Sequence, residues 1–220
     1  MLKTVKRSLS NLGPRGWEAK WLRNIRSRDR QAFAGKLNSY PVSTGVRQYN
    51  EMFREDLHEP IRAAVKRGER PRVLDIGAGA GTFLGETKIF FGDKVETVAT
   101  GLTRPPDVTG IDKYRVMRLS SKKFKPLEGK FDVIASVSGE VQLMGPKQIT
   151  ENVLSHLKPG GRAFLDIGAA RIGPGGKVVA IEEGTRKFIE KEGFSVRKVV
   201  TMPAQEKRLP VTLMVIERKQ

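Results

Sequence analysis

The 220-residue sequence predicts an α/β fold: a doubly wound, mostly parallel seven-stranded sheet with helices on both faces and an antiparallel C-terminal hairpin strand. Three observations predict it. From Arg72 onward, short runs rich in β-branched residues alternate with helical stretches, the pattern of parallel strands joined by crossovers. The first run, Val73-Leu74-Asp75-Ile76, opens directly into Gly77-Ala78-Gly79-Ala80-Gly81, a glycine loop where the first strand of such a sheet ends. The last two runs, Phe194 to Pro203 and Val211 to Arg218, have a loop between them too short for a crossover, so they must pair antiparallel.

The chain divides at the polar stretch Ser39-Tyr40-Pro41-Val42-Ser43-Thr44-Gly45 into a basic extension, residues 1–40, and a core domain, residues 41–220. In the extension Trp17, Trp21, Leu22 and Ile25 recur at near-helical spacing, so a helix is expected there. A helical pattern then runs from Val46 to about Lys66, with Tyr49, Met52, Phe53, Leu57, Ile61, Ala64 and Val65 on its buried side. It is interrupted at Pro60 and ended by Arg67-Gly68-Glu69-Arg70-Pro71. Next come a strand at Arg72 to Ile76, a helix at Thr82 to Phe91, and strands at Val95 to Leu102, Tyr114 to Leu119 and Phe131 to Val137. A helix at Pro146 to Leu157, a strand at Arg162 to Ile167 and a helix at Glu182 to Glu192 precede the closing hairpin. A competing frame makes Val108 to Asp112 the second strand. Tyr114 to Leu119 would then follow with no room for the crossover a parallel neighbour requires, so Val95 to Leu102 takes that place.

Composition removes several chemistries. No apolar run approaches the roughly eighteen residues needed to span a bilayer, so an integral membrane protein is not expected. Without Cys there is no disulfide framework, thiolate metal site or thiol nucleophile. His58 and His156 stand far apart without metal-ligand spacing, and are expected at the surface or at helix ends. Lys and Arg total 41 against 24 Asp and Glu, a net charge of +17 that draws the chain toward polyanions. About half of that excess lies in residues 1–36, where Lys3, Lys6, Arg7, Arg15, Lys20, Arg23, Arg26, Arg28, Arg30 and Lys36 face only Glu18 and Asp29. Tryptophans among arginines suit nucleic-acid backbone and bases; they equally suit an amphipathic helix lying on the domain, and both readings stay open. A cytoplasmic protein is expected, with an organellar one as the alternative, because Met1 to Trp17 holds no acid and is rich in Lys, Arg and Ser like a transit peptide.

The glycine loop carries its third glycine one residue earlier than the dinucleotide fingerprint Gly-x-Gly-x-x-Gly, with Thr82 in the dinucleotide position. Preceded by Asp75, it resembles motif I of the class I S-adenosylmethionine-dependent methyltransferases. Phe131-Asp132-Val133-Ile134-Ala135-Ser136 resembles that family's fourth-strand motif, and Val153 to Leu165, with Leu157-Lys158-Pro159-Gly160-Gly161 at its centre, resembles its helix, turn and fifth strand. The likeness covers roughly residues 46–218. It implies a Rossmann-like methyltransferase fold, S-adenosylmethionine as cofactor and S-adenosylhomocysteine as product. It also implies that Gly77, Ala78, Gly79 and Gly81 admit the cofactor's aminoacyl part, that Asp75 organises the loop and the ammonium end, and that Ser136 lines the floor near the sulfonium. The chain departs from the family twice. Where relatives carry a ribose-binding acid at the end of strand two it has Leu102 and Thr103, leaving Thr103, backbone, or Asp112 reaching across. Where they carry an acid near the adenine amino group it has Ser120 and Ser121, whose hydroxyls make a weaker contact.

Methyl transfer from a sulfonium is an in-line displacement with a neutral leaving group, so alignment of the acceptor can supply much of the rate. Acceptor contacts are expected after strand four, at Val137 to Gln142, where Glu140 would orient the acceptor or serve as base beside Ser138 and Gln142. The Asn/Asp-Pro-Pro-aromatic motif of base amino-group methylases does not follow strand four, cysteine-dependent pyrimidine methylation has no Cys, and the ribose-methylase tetrad does not map. Charge therefore favours an enzyme acting on RNA, rRNA or tRNA, free or in a ribonucleoprotein. Arg23, Arg26 and Arg30 of the extension and the cluster Arg62, Lys66, Arg67, Arg70 and Arg72 would hold phosphates. The alternatives are a methyltransferase for a small molecule or protein, and an inactive methyltransferase-like module docked on RNA or the ribosome.

Overall fold

The computed structural model describes residues 44–102, 110–119, 127–137, 139–168, 170–172, 178–180, 182–202 and 211–219. The extension 1–40 with Arg23, Arg26 and Arg30, and the site candidates Thr103, Ser120, Ser121 and Ser138, lie outside the described residues.

The elements are α1 (Val46–Phe53), α2 (Glu59–Lys66), β1 (Arg72–Ile76), α3 (Thr82–Phe91), β2 (Glu96–Gly101), β3 (Lys113–Val116), β4 (Phe131–Ser136), α4 (Pro146–Asn152), β5 (Leu157–Asp166), β6 (Ala170–Ile172), β7 (Val178–Ala180), α5 (Glu182–Lys191), β8 (Phe194–Met202) and β9 (Val211–Arg218). The helix expected over residues 46–66 is two helices. Arg54 adopts a left-handed conformation (φ 52°) that ends α1, and Pro60 sits in the first turn of α2, where its missing N–H costs nothing. Between them, side chains replace helical bonds: Asn50 accepts from the Leu57 N–H and Asp56 from the His58 N–H, each at 2.9 Å.

The seven strands lie in the order β3-β2-β1-β4-β5-β9-β8. All run parallel except β9, which is antiparallel to both β5 and β8, so the reversed strand sits inside the sheet and β8 forms its edge. β5 begins five residues earlier than expected, because Leu157 already pairs with Phe131 before the register shifts to Arg162 opposite Val133. A two-stranded hairpin, β6 with β7, was not anticipated.

Successive residues of each central strand enter opposite cores. Leu74, Ile76, Val98 and Ile134 pack with Val141, Met144 and Leu165, whereas Val73, Ala99, Val133 and Ala135 pack with Tyr49, Phe53, Phe83 and Phe164. Burial on both faces is why the strands read as unbroken apolar runs. From β1 the chain steps outward to β2 and β3, then returns to β4 on the other side of β1. That reversal is a topological switch point at the carboxyl ends of β1 and β4, the place where ligands bind in such sheets. No helix among the described residues is long and apolar enough to cross a membrane.

Candidate functional site

The glycine loop leaves β1 at this switch point. Gly77, Gly79 and Gly81 all have positive φ (76°, 55° and 78°), a region in which a side chain is strained. The Gly77 and Ala78 N–H groups both donate to the Thr100 carbonyl of β2, at 2.9 and 3.0 Å, which folds the loop back over the neighbouring strand. A Cβ at Gly77 would lie 3.1 Å from Gly139 Cα, and one at Gly81 would lie 2.3 Å from Ile111 Cδ1. The sequence reading gave these glycines to the ligand alone; the protein's own post-β4 backbone and Ile111 already occupy the room that two of them leave.

Ser136 is fully buried and its Oγ donates to the Ile76 carbonyl at 3.0 Å, tying the end of β4 to the end of β1. It shapes the floor by holding two strand ends together; the hydroxyl itself is engaged. Asp75 is also buried, on the face covered by α1, and its Oδ1 accepts from the Tyr49 hydroxyl at 3.1 Å. Burial pushes the Asp75 carboxyl up to about 7, and the bond from Tyr49 only partly offsets it. The phenol is raised well above its ordinary value, by burial first and then by Asp75, and a backbone hydrogen bond with Val137 offsets this in part. Asp166, at the end of β5, is buried as well: Oδ2 accepts from Gln142 Nε2 at 2.7 Å and Oδ1 from the Gly168 N–H at 2.9 Å. Sequence reasoning missed both Tyr49 and Asp166. The available signal was the same for each, a polar group on an otherwise apolar face or strand end. A further buried polar atom, Thr100 Oγ1 near the carboxyl end of β2, has no hydrogen-bond partner.

Other candidates are placed differently from expectation. Glu140 does not offer a free carboxylate to an acceptor. It is buried, Oε2 accepts from the Leu119 N–H at 2.7 Å, and Oε1 lies 3.4 Å from Arg118 Nε, so it braces the segment that follows β3. Asp112 does not reach a ribose. Its carboxylate accepts from the Thr97 N–H (2.8 Å) and from Lys88 Nζ (2.9 Å), near the start of β2 and immediately before β3, at the opposite edge of the sheet. Leu102 follows β2 as expected, half-buried, and among the described residues no carboxylate stands at that strand end.

The basic cluster is likewise remote. Arg72 opens β1 while Gly77 follows its last residue, which sets Arg72 roughly 16 Å from the loop along the strand. Arg62 pairs with Asp56, and Arg67 with Glu69 at 2.6 Å. Arg72 is structural: it pairs with Glu96 at 3.0 Å, donates to the Glu128 and Lys130 carbonyls, and lies 4.7 Å above the centre of the Phe131 ring. The histidines stand at helix ends, as one of the two expected placements has it, but buried: His58 precedes α2 and His156 closes the turn Leu154–His156. His58 Nε2 meets Thr87 Oγ1 at 3.0 Å among Phe83, Phe90 and Phe91, and burial lowers the pKa of both His58 and His156.

No protein-family model and no curated protein matches the chain. Solved structures do. It is similar to the N-methyltransferase NodS from Bradyrhizobium japonicum WM9 in complex with S-adenosylhomocysteine, at a TM-score of 0.50 and 15% identity over 88% of this chain and 98% of that one. It is also similar to the 1,6-didemethyltoxoflavin-N1-methyltransferase of Burkholderia thailandensis, at a TM-score of 0.49 and 17% identity over 82% and 93%. The fold is that of the class I S-adenosylmethionine-dependent methyltransferases.

Proposed function

We propose that this chain is an S-adenosylmethionine-dependent methyltransferase whose acceptor is RNA. One observation carries the enzyme reading: an acid buried at the end of β1, beneath a loop of three positive-φ glycines, answered by a phenol and, among the described residues, by no cation. A carboxyl held near neutrality in this way is stabilised as the carboxylate by an arriving ammonium group. The partnerless Thr100 hydroxyl offers a second polar atom at the same edge. The residues present therefore fit an aminoacyl-bearing nucleoside.

When bound, the cofactor supplies an electrophilic methyl on sulfur and leaves as a neutral thioether. Asp75 would hold the ammonium end as a carboxylate, its proton passing to solvent, while Tyr49 donates to Oδ1 and orients the group. Ser136 and Gly139 hold the floor against β1, and Glu140 fixes the segment following β3 by its bond to Leu119. With no free carboxylate in that segment among the described residues, acceleration comes from alignment of the acceptor.

The net charge of +17 favours RNA as acceptor. Basic groups at the amino edge and in the extension suit a polyanion long enough to touch both edges, and give a small acceptor nothing. Calorimetric titration tests the enzyme reading: binding is expected for the wild type and its loss for Asp75→Asn, and no heat at millimolar S-adenosylmethionine would overturn it. RNA affinity should fall steeply with salt, and mass spectrometry of RNA from cells lacking the protein should show one methylated nucleoside missing; RNA binding insensitive to salt would remove RNA as acceptor. A second reading, a methyltransferase-fold module without catalysis, is favoured by Asp112, which is committed to Lys88 and Thr97 and unavailable to a ribose. The same titration separates the two.

A further inference from the structure

Beside the acid at the end of β1 stands a second one that the proposed chemistry leaves unused. Asp166 closes β5 and is 1% exposed. Leu165 pairs with Ser136, so Asp166 lies one residue beyond the end of β4 and shares its face with Phe164, on the α1 side where Asp75 also lies. Two strand spacings, about 10 Å, separate β5 from β1. The Tyr49 phenol feels both acids: burial raises it most, then Asp75, and Asp166 adds a smaller rise.

Asp166 and Gln142 fix one another. Gln142 lies in the short 3₁₀ turn Glu140–Leu143 that follows β4, and its Nε2 donates to Asp166 Oδ2 at 2.7 Å, while Asp166 Oδ1 accepts from the Gly168 N–H at 2.9 Å. The turn is pinned elsewhere too: Glu140 accepts from the Leu119 N–H, and a Cβ at Gly139 would lie 2.8 Å from the Ile76 carbonyl oxygen. A carboxylate takes only donors, so the amide cannot turn its oxygen toward Asp166. Gln142 is half-buried, and its Oε1 and second N–H have no hydrogen-bond partner among the described residues. A fixed amide of this kind presents one acceptor and one donor side by side.

We propose that the Gln142 amide, oriented by Asp166, reads the edge of a nucleobase, so that the part of the RNA brought to the site is an unstacked base and not a ribose hydroxyl or a phosphate. This rests on the methyltransferase reading with an RNA acceptor and narrows it. With Asp75 assigned to the ammonium end at β1 and the glycine loop folded back over β2, the side left for the acceptor is that of β4 and β5. A phosphate offers no donor to Oε1 and is repelled by the carboxylate behind Gln142. A ribose hydroxyl fills one of the two positions, whereas a base edge with adjacent donor and acceptor fills both. A ring nitrogen of that base forms its bond to the methyl carbon with its lone pair as the carbon–sulfur bond breaks, and any proton it gives up passes to solvent. Gln142 is thereby a specificity residue and Asp166 a positioning residue.

Nucleoside mass spectrometry of RNA from cells with and without the protein, with fragmentation at the glycosidic bond, should find the missing methyl on the base. A methyl missing from the ribose would overturn the proposal and leave an RNA methyltransferase standing, whereas no missing nucleoside would remove the RNA acceptor and the proposal with it. Undermethylated total RNA from the deletion cells then serves as substrate for the purified full-length chain. Gln142→Leu should raise KM for that RNA about tenfold, with the Kd for S-adenosylhomocysteine by calorimetry unchanged within about twofold. Asp166→Asn should raise it less, about fivefold, because an Asn lets the amide flip, and should add nothing in a Gln142→Leu background. Additive losses, or a parallel loss of cofactor affinity, would make the pair structural and overturn the proposal. Gln142→Asn, which keeps an amide but draws it back by one methylene, is the further variant should either fold poorly by circular dichroism, and should raise KM likewise.

Discussion

At the amino edge of the sheet, acids that folding brings out of water meet cations. Asp132 accepts from Lys158 Nζ at 2.8 Å and from the Arg72 N–H, Glu96 lies between Arg72 and Lys113, and Asp112 takes Lys88. Burial alone would raise Glu96 and Asp112, yet their cations and N–H donors hold both below the usual carboxylate range. At the carboxyl edge Asp75 is more deeply buried, meets a phenol as its one side-chain partner among the described residues, and rises to about 7. One edge has its charges answered by the fold, whereas at the other Asp75 meets no cation among the described residues. That asymmetry, more than the glycine loop alone, is what the proposed function rests on.

Four measurements bear on the contrast. The largest effect is expected for Gly77→Ala, which combines a left-handed side chain with a 3.1 Å approach to Gly139 Cα and should cost about 3–4 kcal/mol in urea unfolding. A loss below about 1 kcal/mol would mean that the loop glycine serves only the ligand. Asp75→Asn should stabilise the protein by roughly 2–3 kcal/mol at pH 8 while removing cofactor binding. The sign follows from the raised carboxyl: between pH 4 and 7 the unfolded chain has lost this proton and the folded one keeps it, so stability falls as pH rises through that window. The variant should lack that slope, and wild-type and variant curves that run parallel from pH 4 to 8 would remove the uncompensated acid from the picture. Asp132→Ala, at the answered edge, should destabilise by about 2 kcal/mol at neutral pH, since it strands Lys158 and the Arg72 N–H. Any stabilisation there would erase the distinction between edges. Smallest is Arg62→Ala, whose half-exposed pair with Asp56 should contribute less than about 1 kcal/mol to stability. If RNA uses this edge, the variant should reduce the salt slope of binding by about one; an unchanged slope would leave Arg62 with its structural partner alone.

Much of the architecture is legible in the chain because strand and helix signals are local. The expected and observed spans agree at β1, α3 and β9, since each is a single apolar pattern closed by a breaker or a turn. Where the pattern spoke less clearly, the fold differs. One expected helix is two, because Arg54 in the left-handed region and Pro60 act within a continuous apolar periodicity. β5 starts at Leu157, because Phe131 on the neighbouring strand recruits residues that read as a turn.

For the site, sequence alone determined the glycine spacing, the acid that precedes it, the missing carboxylate after β2, the absence of thiols and the charge excess. Tertiary structure decided what each of those acids does. Asp75, Asp112, Asp132 and Glu140 are indistinguishable as carboxylates in a string, and their partners come from 26, 24, 26 and 21 residues away. Periodicity reports which face a residue takes within its own element, while protonation and free valence depend on burial and on donors that only the assembled sheet brings within 3 Å.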